Sequence, residues 1–269
     1  MRTERDQLWH RLNERFVTAF ATYRLLEDGD HVLVGLSGGK DSLCLLELLA
    51  RRARISHPSF KVEAVHVRME NIEYQTSTEY LESFCKGLDV PLHIVTTRFD
   101  LVGHASQRDD SELVEHASQR EDSELVGHAS QRAKPPCFLC SWHRRKQLFN
   151  LAQELGCNKI ALGHHQDDLL HTALMNLLFQ SRFGTMPARL QMRKMPLQII
   201  RPLCMIEEQD IKVYAEMRGY QKQKKLCPYE SDSHRTDIKR LYNEMEQMNP
   251  EARFSIWRAL NTDNKLIEE

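Results

Sequence analysis

The segment His31-Val32-Leu33-Val34-Gly35-Leu36 runs directly into Ser37-Gly38-Gly39-Lys40-Asp41-Ser42, and then into a strongly helical stretch that opens Leu43-Cys44-Leu45-Leu46. A short apolar run with no polar alternation reads as a strand covered on both faces, as in parallel sheets between helical layers. Phosphate recognition needs backbone N–H groups free of side-chain obstruction and a positive field, and both are available where a strand hands over to a helix N-terminus. Here the glycines permit close approach, Lys40 adds a movable cation, and Asp41 or Ser42 can cap the helix. The spacing is not that of a Walker A loop, which places Lys and then Ser or Thr after Gly-x-x-x-x-Gly. A Gly-Gly pair alone would be an ordinary tight turn. With strand, Ser, Lys, Asp, Ser and helix all in place, the segment reads as a phosphate loop.

The rest of the chain supports a sheet for that loop to sit on. Residues 4–26 carry Leu8, Leu12, Phe16, Ala19, Phe20 and Tyr23 at helical spacing, stopped by Asp28-Gly29-Asp30. Apolar, strand-sized runs at 62–67, 92–97, 159–162 and 197–200 alternate with helical patterns at 76–88, 140–155, 167–179 and 207–218. Such alternation predicts an α/β fold: a doubly wound, mainly parallel sheet with helices on both faces and helical extensions at each end. We expect an amino-terminal extension over 1–28, a nucleotide-binding catalytic unit over 29–220 and a carboxy-terminal helical extension over 221–269. The apolar stripe of the first helix suits either a homodimer contact or packing on its own sheet.

Residues 101–132 stand apart, since LVGHASQRDDSE, LVEHASQREDSE and LVGHASQR repeat with a period of 12. Twelve residues at about 100° each leave successive copies rotated by about 120° around a helix, so no single stripe is buried. The copies are also too few and too polar for a solenoid core. A duplicated surface insertion is the expected reading, ahead of a metal site at His104, His116 and His128.

A second cluster, Gly163-His164-His165-Gln166-Asp167-Asp168, follows a later apolar run. Alone it would pass for a helix N-cap with two acidic first-turn residues, though carboxylates at that place can also hold Mg²⁺ or bind substrate. Among the seven cysteines, Cys44, Cys85, Cys157 and Cys204 lie in apolar helix or strand contexts, where buried thiols are common. Cys137-Phe138-Leu139-Cys140 sits at a turn before a helix, and Cys227 in Leu-Cys-Pro is the remaining candidate ligand. One such pair suits a redox site, half a zinc site or two ligands of an iron-sulfur cluster.

The sequence SGGKDS after a first strand resembles the PP-loop ATP pyrophosphatases. The resemblance implies that Ser37, Gly38, Gly39, Lys40, Asp41 and Ser42 grip the β and γ phosphates of ATP, with Lys40 and Mg²⁺ countering charge on the leaving pyrophosphate. It makes Gly163, His164, Asp167 and Asp168 further site residues. SGGKDS, CFLC, GHHQDD, the Ile-Arg-Pro-Leu run at 200–203 and the late LCP together resemble the tRNA 2-thiocytidine synthetase (TtcA) family. That resemblance implies ATP-dependent adenylation of the C2 oxygen of a tRNA cytidine at position 32, followed by its replacement with sulfur. It further implies a 4Fe-4S cluster on Cys137, Cys140 and Cys227, and a cysteine desulfurase or other sulfur donor as partner. His171 occupies a place where another kind of polar residue was expected.

Charge and composition fit such a protein. The formal net charge is -1, but residues 1–132 carry 16 basic and 22 acidic side chains, and residues 133–269 carry 21 and 16. The basic excess at Arg144-Arg145-Lys146, Arg189, Arg193-Lys194, Lys222, Lys224-Lys225 and Lys239-Arg240 is the kind that meets tRNA phosphates. No further cysteine pairs accompany it, unlike the related 2-thiouridine synthetases. No apolar stretch reaches the ~18 residues of a membrane span, and the charged amino terminus lacks a signal region, so a cytoplasmic protein is expected. Competing classes are a PP-loop ligase or amidase acting on a small molecule and a non-catalytic nucleotide-binding sensor.

Overall fold

A computed structural model describes residues 4–74, 76–99, 136–227, 234–262 and 266–268. The repeat at 101–132, with His104, His116 and His128, lies outside the described residues.

Seven strands form one sheet in the order β4-β2-β1-β5-β7-β6-β9: Leu92–Thr97, Lys61–Met69, His31–Gly35, Lys159–Ala161, Gln198–Ile200, Arg189–Gln191 and Ile267–Glu268. Pairings from β4 through β7 are parallel, and β6 pairs antiparallel to β7. β1 sends Val32 and Val34 to one face and Leu33 to the other, as the two-residue strand period requires. The first face is covered by α1 (Glu4–Tyr23), α2 (Lys40–Ala53) and α6 (Glu208–Arg218); the second by α4 (Pro136–Glu154), through Phe149 and Ala152. The remaining helices are α3 (Glu79–Leu88), α5 (Gln166–Gln180), α7 (His234–Met248) and α8 (Ala252–Asn261). The doubly wound, mainly parallel sheet is thus observed, with an antiparallel step at β6.

Two elements end differently from their sequence patterns. α1 stops at Tyr23 because Arg24 adopts a positive φ of 49°, and Leu25 then turns inward and is fully buried. α4 begins at Pro136, upstream of the helical pattern at 140–155. Proline suits a first helical position because its φ is already helical and its missing N–H has no partner to lose there. Of the two uses open to the α1 stripe, the structure shows the second: Leu8, Leu12, Phe16 and Ala19 are buried in the same core as α2.

β1 has β2 on one side and β5 on the other, so the chain winds outward in opposite directions from the β1/β5 pair. A crevice therefore opens above the carboxyl ends of these two strands, where doubly wound sheets receive ligands. Among the described residues, no helix is long and apolar enough to cross a membrane.

Candidate active site

Both sequence clusters emerge at that crevice, the phosphate loop from β1 and the His-His-Gln-Asp-Asp element from β5. The loop holds its own shape: Ser37 and Ser42 hydroxyls lie 3.0 Å apart, Ser42 Oγ donates to the Gly39 carbonyl at 3.0 Å, and Gly39 N–H reaches Ser37 Oγ at 3.3 Å. Gly38 has φ +81°, and a Cβ there would stand 2.7 Å from Gln223 Cβ. Gly163 packs closely for a different reason. A Cβ there would come within 3.1 Å of the Ser42 amide nitrogen and 3.2 Å of Asp41 C, so a larger residue would have to move the β5 loop and the α2 N-terminus apart by a few tenths of an ångström.

Three helix N-termini are tied together around this point. Lys40 Nζ bonds Asp41 Oδ1 at 2.9 Å and Glu208 Oε1 at 3.2 Å, joining α2 to α6. Burial disfavours the charged ammonium, but the two carboxylates outweigh it and raise the Lys40 pKa. Asp167 at the start of α5 accepts the Glu208 N–H at 2.7 Å and Arg253 Nη2 at 2.8 Å. Buried His165 sits 3.8 Å from Asp41 and 3.5 Å from Asp168 through Nε2. Converging N-termini give the crevice a positive field suited to anions.

The two aspartates separate in role. Asp167 is buried at 8% exposure; burial pushes its carboxyl up, but the Arg253 and Glu208 hydrogen bonds more than offset this, and its pKa is lowered. Both of its oxygens serve internal contacts. The Asp168 side chain is 41% exposed, caps its own helix by accepting His165 N–H at 3.1 Å, and faces a cavity of about 470 Å³. His164 shares that wall. Burial and the nearby Arg201 hold its imidazole down to about 3, so it stays neutral and accepts from Arg201 Nε at 3.3 Å through Nδ1.

The cavity is walled by residues that neighbour the loop and the Cys137–Cys140 turn. One side carries Glu208, which contacts Lys40, His165, which approaches Asp41, and Asp168; the other carries Ser141, Arg144 and Arg145 from α4, beginning one residue after Cys140. Lys239 and Arg235 on α7 line it as well, so three members of the basic set, Arg144, Arg145 and Lys239, converge there.

Cys137 and Cys140 sit three residues apart in the first turn of α4, a spacing that places them on one helix face. Cys140 and Cys227 pack against one small apolar cluster of Met69, Ile72, Phe99 and Leu139. The segment that brings Cys227 there first crosses the phosphate loop, where Gln223 N–H donates to the Gly38 carbonyl at 3.0 Å. It then pairs as β8 (Lys225–Leu226) with β3 (Glu73–Tyr74). Cys137 is exposed and Cys140 and Cys227 are half-buried, and thiols are the donors that an iron-sulfur cluster takes. Among the described residues, no group of three His, Cys, Asp or Glu side chains is arranged to hold a metal ion. The other four cysteines are buried, and burial pushes the thiols of Cys85 and Cys157 up to about 11 and that of Cys204 to about 12.

Four contributors were not singled out in the sequence as members of this site: Glu208, His165, Gln223 and Arg235. Glu208 and Gln223 reach the loop only through contacts far along the chain. His165 had a local signal, its place inside the second cluster.

A parallel sheet that delivers a Ser-Gly-Gly-Lys-Asp-Ser loop onto a helix N-terminus at its switch point defines a nucleotide-binding protein of the PP-loop class. The profile of the PP-loop domain family matches residues 9–124 and 140–244. The tRNA-cytidine(32) 2-sulfurtransferase of Paraburkholderia xenovorans (strain LB400) is 31% identical over 258 residues, covering 96% of this chain and 69% of that protein. The tRNA-cytidine(32) 2-sulfurtransferase 1 of Francisella tularensis subsp. novicida (strain U112) is 32% identical over 244 residues, 90% and 82% of the two chains. Among solved structures, the U34-tRNA thiolase NcsA from Methanococcus maripaludis, with its 4Fe-4S cluster, shares the fold at a TM-score of 0.67 and 24% identity, over 95% of this chain and 79% of that one. The chain belongs to the tRNA-cytidine(32) 2-sulfurtransferase family of PP-loop proteins.

Proposed function

We propose that the protein is an ATP-dependent tRNA thiolase that converts the cytidine at position 32 to 2-thiocytidine, in the cytoplasm. The observation that carries this reading is the cavity walled on one side by Glu208 and His165, which reach Lys40 and Asp41 of the phosphate loop, and on the other by α4 from Ser141, the residue after Cys140. The reaction needs such a place. A pyrimidine C2 oxygen is a poor leaving group; attacking the α phosphorus of ATP expels pyrophosphate and leaves the oxygen as part of an AMP ester. Sulfur then adds at C2, and AMP departs carrying that oxygen. Both steps act on one carbon, so the activating loop and the sulfur source must open on one space.

In this account Ser37, Gly38, Gly39 and Ser42 cradle the terminal phosphates, and Lys40 turns from Asp41 and Glu208 toward them as charge develops. Asp41 and Asp168 would hold Mg²⁺, with Gly163 and neutral His164 beside them. Asp167 acts by holding α5 against α6 and α8. Cys137, Cys140 and Cys227 would hold a 4Fe-4S cluster. Such a cluster on three cysteines supplies one iron without a protein ligand, at which sulfur can be held. Residues 29–220 form the catalytic unit, and 221–269 add the third cysteine and the basic face of α7 toward tRNA phosphates. Sulfur arrives from a cysteine desulfurase or another donor.

Mass spectrometry of tRNA nucleosides from a strain lacking the gene tests this directly. Loss of 2-thiocytidine, restored by the intact gene and not by a Lys40→Ala copy, is expected. An unchanged 2-thiocytidine level would overturn the assignment.

A further inference from the structure

His164 stands where the phosphate loop meets the cavity, and its ring is held by a buried arginine. Parallel pairing sets Ala161 of β5 against Ile200 of β7, and Leu162 N–H continues the ladder to the Ile200 carbonyl at 3.0 Å. Arg201 therefore leaves β7 at the level at which Gly163 and His164 leave β5. It is 1% exposed; its backbone N–H donates to the Ala188 carbonyl at 2.8 Å and Nη1 to the Pro187 carbonyl at 2.6 Å. Fixed in this way, the guanidinium presents Nε to His164 Nδ1 at 3.3 Å.

That contact decides which ring nitrogen carries the proton. A guanidinium only donates, so Nδ1 is the nitrogen with the lone pair, and the neutral ring carries its proton on Nε2. The two nitrogens of an imidazole point to nearly opposite sides. With Nδ1 turned toward buried Arg201, Nε2 is turned away from it. Nε2 makes no hydrogen bond among the described residues, and unlike Nε2 of His171 it is not enclosed, so it opens on the cavity that His164 lines. The cavity thus receives an uncharged N–H donor, one residue beyond Gly163, which packs closely on the α2 N-terminus.

Position selects the acceptor. In the thiolase reading, on which this inference rests, the loop grips the β and γ phosphates and the target base lies in the cavity, so the α phosphoryl group sits at their junction. We propose that Arg201 is a positioning residue that fixes His164 as an Nε2–H donor to a non-bridging oxygen of the α phosphoryl group. During adenylation the bond from the C2 oxygen to phosphorus forms, the bond from phosphorus to the bridging oxygen breaks, and its electron pair leaves with pyrophosphate. His164 keeps its proton throughout. Its hydrogen bond strengthens as charge spreads over the equatorial oxygens.

Two arms test this. In the first, full-length protein labelled with nitrogen-15 histidine and purified without oxygen is read by two-bond proton–nitrogen correlation, the His164 signals being assigned by their loss in His164→Gln. The wild-type ring is expected in the Nε2–H form, with the Nδ1 resonance moved upfield by the bond it accepts. Arg201→Met should return that resonance toward the value of an unbonded ring nitrogen. An Nδ1–H ring in the wild type would overturn the inference, as would an unmoved Nδ1 resonance in a folded Arg201→Met protein; the wild-type spectrum decides even if that variant does not fold. The second arm follows AMP formation with ATP and with the two diastereomers of ATP that carry sulfur at the α phosphorus. In the wild type the diastereomer with sulfur at the contacted oxygen should react about tenfold or more slowly than ATP. His164→Leu should lower kcat with ATP by about a hundredfold and shrink that difference to within about twofold, with tRNA affinity unchanged. Arg201→Met should move kcat in the same direction by about tenfold, and Arg201→Lys, which keeps a donor, should recover part of it. Equal sulfur effects in the wild type and His164→Leu for both diastereomers would sink the contact. If no tRNA is thiolated, yet ATP moves the Nε2–H resonance and the Nδ1 bond depends on Arg201, the thiolase reading fails while the positioning role stands.

Discussion

Asp167 and Asp168 are neighbours in sequence with opposite surroundings, and their substitutions separate accordingly. Asp167 accepts from Arg253 and from the Glu208 amide. Asp167→Asn keeps the shape but weakens both charge-assisted bonds, so a stability loss of about 1–3 kcal/mol is expected in urea unfolding. Asp168 faces the cavity. Asp168→Asn should leave the unfolding midpoint nearly unchanged while lowering turnover at saturating tRNA by about tenfold to a thousandfold, the range for a transition-state electrostatic contact. If the two variants showed the same profile, the division of roles would be wrong. In sequence the pair looked alike, and their roles could not be told apart: Arg253 and Glu208 lie 86 and 41 residues away, and only the packing of α6 and α8 against α5 brings them in.

At the scale of elements, most of the sheet was legible because its central strands β1, β2, β5 and β7 carry buried residues that read as short apolar runs. The phosphate loop was legible for a related reason: its chemistry is contiguous. The cysteine arrangement was legible only in part. That Cys137 and Cys140 share a helical turn follows from Pro136 starting α4. That Cys227 comes near them depends on a strand of two residues, β8, and on Gln223 lying across Gly38, neither of which has a periodic pattern. The prediction at this scale concerns iron. Protein purified without oxygen should carry about four irons per chain. Cys137→Ala, Cys140→Ala and Cys227→Ala should each lose them, whereas Cys204→Ala, at a fully buried position, should keep them. A colourless anaerobic protein with one zinc would remove the cluster from the account.

The whole molecule is held at its site by carboxylates whose pKa values fall on folding. Burial pushes Glu208 up, but hydrogen bonds from Lys239 and Lys212 and the field of Lys40 outweigh it and carry the group to about 2. Glu47, enclosed by Arg51, Arg218 and Tyr220, and Asp167 shift in the same direction. A carboxyl with a lowered folded-state pKa contributes stability that is fully present above the unfolded value of about 4.3 and is lost as pH falls toward the folded value. Buried His164, held down to about 3 and so neutral in the fold, adds a loss that begins below the unfolded imidazole value of about 6.5, so the Tm should begin to fall below about pH 6.5 and fall more steeply below about 5 as the carboxylates protonate. Glu208→Gln should start from a lower Tm at pH 7 and lose less of it in acid.

The same site-scale architecture makes the central claim: one cavity serves both the activation of an oxygen and its replacement by sulfur. Isotope transfer measures that coupling most directly. The iron-loaded protein would be incubated without oxygen with ATP, Mg²⁺, sulfide and a tRNA whose target cytidine carries oxygen-18 at C2, and the products read by mass spectrometry. The account predicts 2-thiocytidine and AMP in equal amounts, with the heavy oxygen in the AMP. Thiolation accompanied by unlabelled AMP, or AMP formation without thiolation of that base, would contradict it.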